Sequence, residues 1–203
     1  MYIPKQFKVN DFEEVREFIQ QYAFGTLVTT KKGRPIATHL PLQFVKEQED
    51  YYVTGHMAYG NPQWRTFENM EEVLAMFQGP HAYISSSWYE QENVPTWNYQ
   101  SVHVYGTARI LTSSELEEDL AELLKKYEKH RENPVLWDTL SPGLVEKELK
   151  GIVGFKIRVN EIQAANKLSQ NRNEADYRNI VQKLQEEEAG NAREMAQLMA
   201  KKR

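Results

Sequence analysis

Apolar and polar positions alternate with a period of two along several stretches, and those stretches predict strands. Gly25 to Thr30, Pro35 to Val45, Tyr51 to His56 and Glu72 to Gln78 also read as strands. Lys31-Lys32-Gly33-Arg34 and the polar run Lys46 to Asp50 predict the turns between the first three. Connections this brief are too short for parallel crossovers, so the strands form an antiparallel meander. Gly79-Pro80 punctuates the chain before a fifth strand, Ala82 to Ser85, and Tyr99 to Gly106 predicts its neighbour across a polar connection that Pro95 interrupts. Gly151 to Val159 predicts the strand that closes the sheet.

Other stretches carry the helical period. Asn10, with Glu13 three residues on, predicts a cap before an apolar face of Phe12, Val15, Ile19 and Tyr22. Asn61-Pro62 predicts the start of a short helix through Trp64 and Phe67. Thr112 to Glu115 predicts the cap of a long amphipathic helix striped by Leu116, Leu120, Leu123, Leu124 and Tyr127 and ended by Asn133-Pro134. Ser141-Pro142 opens a shorter one. Asn173 predicts the cap of a final helix with Tyr177, Ile180, Val181 and Leu184 on one face, ended by Gly190. Met195, Leu198 and Met199 predict a frayed or partner-dependent extra turn. The expected fold is α+β, mainly β with peripheral helices: a small antiparallel barrel of six or more strands. Residues 1–187 are expected to form one domain, and 188–203 a short helix or tail.

Composition narrows the chemistry. The 203 residues are 40% hydrophobic and 27% charged, with a formal net charge of -4 and no cysteine. Disulfides, zinc–thiolate sites, iron–sulfur clusters and thiol nucleophiles are excluded. No strongly basic balance announces a nucleic-acid partner. No apolar run reaches membrane-spanning length, and the start of the chain has no charged-then-apolar leader pattern, so a cytoplasmic protein without a membrane partner is expected. The five histidines show no HxxxH or HExxH spacing, Ser85 to Ser87 lack a GxSxG setting, and neither GxGxxG nor GxxxxGK[ST] occurs.

The densest concentration of candidate chemistry is His81 to Ile110, which holds Trp88, Trp97 and many small hydrogen-bonding groups. Composition leaves two readings of it open: an aromatic-rich antiparallel core, or a strand pair packed against a planar ligand. PHAYISSSWY followed by VPTWNYQSVHVYG resembles the PaiB-type family of FMN-binding, split-barrel transcriptional regulators, and the resemblance runs from MYIPKQF to about Leu184. It implies a split barrel, FMN as cofactor, and a homodimer with flavin sites at the dimer interface. In the wider split-barrel class, which includes pyridoxamine phosphate oxidases, residues of the second and third strands and the following helix hold the flavin phosphate. The matching positions here carry His39, Thr54, His56 and Asn61. VHVYG resembles the strand that reaches the ring from the partner subunit, and Gln100 and Ser101 stand just before it. NKLSQNR, Asn166 to Arg172, falls where the oxidases carry a basic loop; Lys167 and Arg172 match its basic positions, with Ser169 and Gln170 between. The strand positions are Arg or Lys in the oxidases, so the pocket implied here is less basic.

The resemblance implies negative control of transcription, of protease production and sporulation genes in the namesake. The residues offer no helix-turn-helix and no basic stripe, and the helix from Glu115 to Glu132 is too acidic to enter a phosphate-lined groove favourably. Regulation through a partner protein or through a dimer surface is therefore expected ahead of direct DNA contact, which should be weak and strongly salt-dependent. The alternatives are a flavin-dependent oxidoreductase acting on a small molecule and a structural dimer with a vestigial site.

Overall fold

The computed structural model describes residues 1–202, with Asn69 described by its backbone alone. Its six strands are β1 (Phe24–Lys31), β2 (Arg34–Glu47), β3 (Asp50–Ala58), β4 (Val73–Ile84), β5 (Thr96–Ile110) and β6 (Ile152–Lys167). They close into a barrel in the order β1-β2-β3-β6-β5-β4. Five α-helices accompany them: α1 (Phe12–Gln21), α2 (Ser113–Glu128), α3 (Pro142–Leu149), α4 (Glu174–Glu186) and α5 (Gly190–Lys201). The chain divides into two compact units, one of Ile19–Met76 and Val104–Ile162, the other of Met1–Phe18, Phe77–His103 and Gln163–Arg203, the last residue lying outside those described.

In the first unit β1 and β2 pair antiparallel from Phe24↔Pro41 to Lys31↔Arg34. Lys32 and Gly33 take φ of 52° and 79°, the left-handed pair that a two-residue hairpin turn requires. β3 pairs with β2 and with β6, and β4 returns to β1 at Leu74 to Met76. Leu27, Leu42, Val53, Val104, Phe155 and Ile157 are buried together with Phe67 from the 3-10 helix Pro62–Asn69. Asn61 caps that helix with Pro62 at its first position, as the sequence predicts, although the turn is 3-10 and not α. Thr112 and Glu115 form the expected capping box of α2. That helix ends at Glu128, short of Asn133-Pro134. Gly106 is required by packing: a Cβ there would lie 2.1 Å from the Arg158 carbonyl oxygen.

In the second unit three sequence expectations are corrected. Asp11, not Asn10, caps α1, its Oδ1 accepting from the Glu13 amide at 2.9 Å. Gly79-Pro80 does not divide two strands, for β4 runs through it; a Cβ on Gly79 would meet Phe18 Cε2 at 2.7 Å, so close packing requires this glycine. Finally, the segment expected to form a frayed or partner-dependent extra turn is a helix of 12 residues, α5, whose Ala192, Met195, Ala196 and Met199 are buried with Tyr177, Ile180 and Leu184 of α4. The Tyr177 hydroxyl donates to the Met199 carbonyl at 2.8 Å, completing this core.

Candidate functional site

In the barrel unit, strand register sets three polar side chains in one row across β2, β3 and β6: Gln43 opposite Thr54, and Thr54 opposite Lys156. All three are buried. Asp119 of α2 caps the row. Its Oδ1 accepts from Gln43 Nε2 at 2.9 Å and from the Thr54 hydroxyl, and its backbone carbonyl accepts from Gln43 Nε2 at 3.0 Å. Asp119 Oδ2 is buried without a partner, and burial pushes the carboxyl above its ordinary value against those hydrogen bonds. Lys156 Nζ lies 2.6 Å from Glu47 Oε1 and 4.8 Å from the Tyr52 ring centroid. Beside the row lies a cavity of about 420 Å³, lined also by Glu115, Glu118 and Glu122.

The other predicted residues of this unit take separate places. His56, two residues after Thr54, has a buried and unpartnered Nδ1, and burial lowers its pKa while the Asp119 carboxyl opposes that shift. His39 is exposed, with Nδ1 2.8 Å from the hydroxyl of Thr26, its register partner on β1. Asn61 Oδ1 accepts from the Gln63 amide at 3.0 Å, and its Nδ2 donates to Thr38 Oγ1 at 2.9 Å, so the side chain is engaged as a helix cap.

In the second unit the remaining predicted residues gather around the end of β6. Lys167 Nζ donates to Thr96 Oγ1 at 2.5 Å, and the Arg172 guanidinium sits 4.7 Å from the Tyr89 ring centroid. Burial, and then the nearby Arg172 charge, lower the Lys167 pKa. Among the described residues no carboxylate forms an ion pair with either cation. Lys167 and Arg172 are thus two cations five residues apart in sequence at the end of β6, neither in an ion pair among the described residues. Ser169 Oγ exchanges hydrogen bonds with the Asn98 amide at 3.0 and 3.1 Å. Gln100 Nε2 donates to Asn166 Oδ1 at 3.0 Å, and Asn166 Nδ2 to Glu14 Oε1 at 2.6 Å. The Ser101 hydroxyl donates to the Phe77 carbonyl at 3.3 Å.

The two tryptophans of the central stretch take different places, Trp88 at the end of the 3-10 helix Ser86–Trp88 and Trp97 on β5. Trp88 packs against the α4–α5 core, whereas Trp97 is 52% exposed, 6.0 Å from the His81 ring and 6.1 Å from the half-exposed Tyr83 ring. His103 Nδ1, on the same face of β5 as Trp97, is buried without a partner, and burial lowers its pKa. Asn98, Asn166 and Asp119 escaped the sequence reading. Asn98 was the most accessible to it, because with Gln100 it continues the alternation of the buried Val102 and Val104. Among the described residues no cluster of three His, Cys, Asp or Glu could hold a metal, and no helix is long and apolar enough to cross a membrane.

Solved structures share this fold, an antiparallel six-stranded split barrel of the α+β class. The flavocytochrome Anf3 of Azotobacter vinelandii superposes with a TM-score of 0.64 at 16% identity, over 87% of this chain and 78% of that one. The FAD and heme binding protein of Mycobacterium smegmatis does so with a TM-score of 0.59 at 13% identity, over 79% and 73%. Residues 1–161 match the family described as "Putative FMN-binding domain", and the chain belongs to that family. It is 67% identical over 202 residues, all of this chain and 98% of the relative, to protease synthase and sporulation protein PAI 2 of Bacillus subtilis strain 168.

Proposed function

We propose that this chain is a cytoplasmic, FMN-binding homodimer that acts as a negative regulator of transcription in the control of protease production and sporulation. Family membership and the name of the 67% identical relative support the biological role. The observation that carries the cofactor is the pair Lys167 and Arg172, which contact Thr96 and the Tyr89 ring and form no ion pair among the described residues. A flavin phosphate, at about -1.5 to -2 charge near neutral pH, supplies the anion that this pair lacks. Thr96 holds Lys167 and the Tyr89 ring holds Arg172, and a bound phosphate would engage further donors of both. When bound, FMN adds a planar, redox-active ring. The exposed Trp97 and Tyr83, beside His81, form an aromatic strand face suited to a second copy of the chain. With an acidic α2 and net charge of -4, the regulator reaches its promoters through a protein partner.

The test is flavin binding by the purified chain, with riboflavin, which lacks the phosphate, as the comparison. FMN should bind more tightly than riboflavin, and K167A/R172A should abolish that preference by weakening FMN about tenfold or more. Equal affinity of the unaltered protein for the two flavins would overturn the phosphate role. Rapid turnover of bound FMN with a reduced nicotinamide would favour the oxidoreductase instead.

A further inference from the structure

The turn that carries Lys167 and Arg172 is held more firmly than a polar surface loop requires. Ser169 takes a φ of 58°, a left-handed conformation that a side-chain-bearing residue adopts only at a cost, and it is 3% exposed. Its hydroxyl is spent inside the protein, on the fully buried Asn98 amide. Gln170 folds back over the same turn. Its Oε1 accepts from the Leu168 amide at 2.7 Å, and its Nε2 donates to the carbonyls of Asn166 at 2.6 Å and Gln6 at 3.1 Å. These bonds fix the backbone on both sides of Lys167. The Arg172 amide donates to the Ser169 carbonyl at 2.9 Å, tying the second cation to the strained residue.

We infer that Asn98, Ser169 and Gln170 are positioning residues, which hold Lys167 and Arg172 together against their mutual repulsion so that one dianionic phosphate bridges both. This rests on the FMN reading above and deepens it, because Ser169 then acts through the cations and not by touching the ligand. The strain and the buried polar bonds are set in the free protein, so the ligand meets a cradle already arranged. Without the brace the two like charges move apart, and the phosphate contacts one of them at a time.

Ser169→Gly tests this with little disturbance, because glycine accepts the left-handed backbone and only the hydroxyl is lost. Gln170→Ala is the second variant; its side chain is exposed, so its removal leaves folding intact. Each full-length variant is titrated with FMN and with riboflavin. FMN affinity should fall by about tenfold in each, with riboflavin affinity held within about twofold. A merely structural role would lower both affinities together, and that result would overturn the proposal, as would unchanged FMN affinity in both variants. If the unaltered protein fails to prefer FMN, the phosphate reading itself falls and takes this one with it; if it prefers FMN and the variants do likewise, only the positioning role is lost.

Discussion

Replacing Asp119 with alanine removes the acceptor that serves two buried donors from one helix. The Thr54 hydroxyl, 3% exposed, loses its acceptor, whereas Gln43 keeps the backbone carbonyl of residue 119. A buried donor left without a partner costs about 1–3 kcal/mol, and hydrogen bonds to a carboxylate stand at the upper end of the usual range. Part of that loss is returned, because a carboxylate whose pKa burial has raised no longer has to be kept desolvated. The net expectation is a loss of about 2 kcal/mol, or about 4–8 °C in Tm for a chain of this size. Asp119→Asn retains the acceptor and removes the charge, so it should fall within about 1 kcal/mol of the unaltered protein. Urea denaturation with an unchanged m-value is the assay. The sign with pH follows from the raised carboxyl: its stabilising contribution is complete below the ordinary 3.8 and is lost as pH rises through the folded value. The asparagine variant should therefore gain on the unaltered protein across that rise. Because Asp119 alone among the named causes raises the His56 pKa, His56 should titrate still lower in the variant, visible by NMR. The account of the polar row is refuted if the alanine variant unfolds within 0.5 kcal/mol of the unaltered protein, or if asparagine is as damaging as alanine.

Gly106→Ala should cost about 3 kcal/mol or more by the same denaturation assay, because the new methyl meets the Arg158 carbonyl at 2.1 Å and backbone cannot give way as a side chain does; a loss under 1 kcal/mol would contradict this packing. Substituting Tyr83 and Trp97 together by alanine should weaken the proposed homodimer by about tenfold or more in analytical ultracentrifugation; a monomeric unaltered protein would overturn the dimer, and an unchanged dissociation constant this interface. FMN affinity should fall as pH rises through the lowered Lys167 pKa, earlier than an ordinary lysine would allow, because the neutral amine no longer pairs with phosphate; a flat profile up to the ordinary value of 10.5 would remove Lys167 from the contact.

Strand signals in the sequence fall within all six strands, and the alternation is clearest in β5, which buries every second residue from Asn98 to Gly106. Capping chemistry located the helix starts at Asn61, Thr112 and Asn173, where the side chain that accepts the amide lies within three residues of it. The reading failed where a residue answers to a distant neighbour. Gly79-Pro80 has the composition of a turn, but the ring of Phe18 sets its role. Met195 and Met199 gain their helix from α4, a partner that local propensity does not weigh. The candidate site divides in the same way. Lys167 and Arg172 were accessible as cations of one short run, and Asn98 as a polar residue on an apolar face. Asp119 was hidden, since nothing in an acidic, amphipathic helix distinguishes the one carboxylate that turns inward toward Thr54 and Gln43.

The row Gln43, Thr54 and Lys156 also sets an order of assembly. Its third member stands on β6, the last strand to leave the ribosome, whereas the helix that roofs it comes earlier in the chain. That roof has no finished seat until the final strand has docked beside β3. A greasy seam would tolerate the helix one turn out of place, but here a misplaced seat strands the Thr54 hydroxyl and the Gln43 amide. Translation therefore delivers the lid after the two strands that hold Asp119 but before the one on which Leu116 packs, at Gly154, so its seat is completed only when the closing strand arrives.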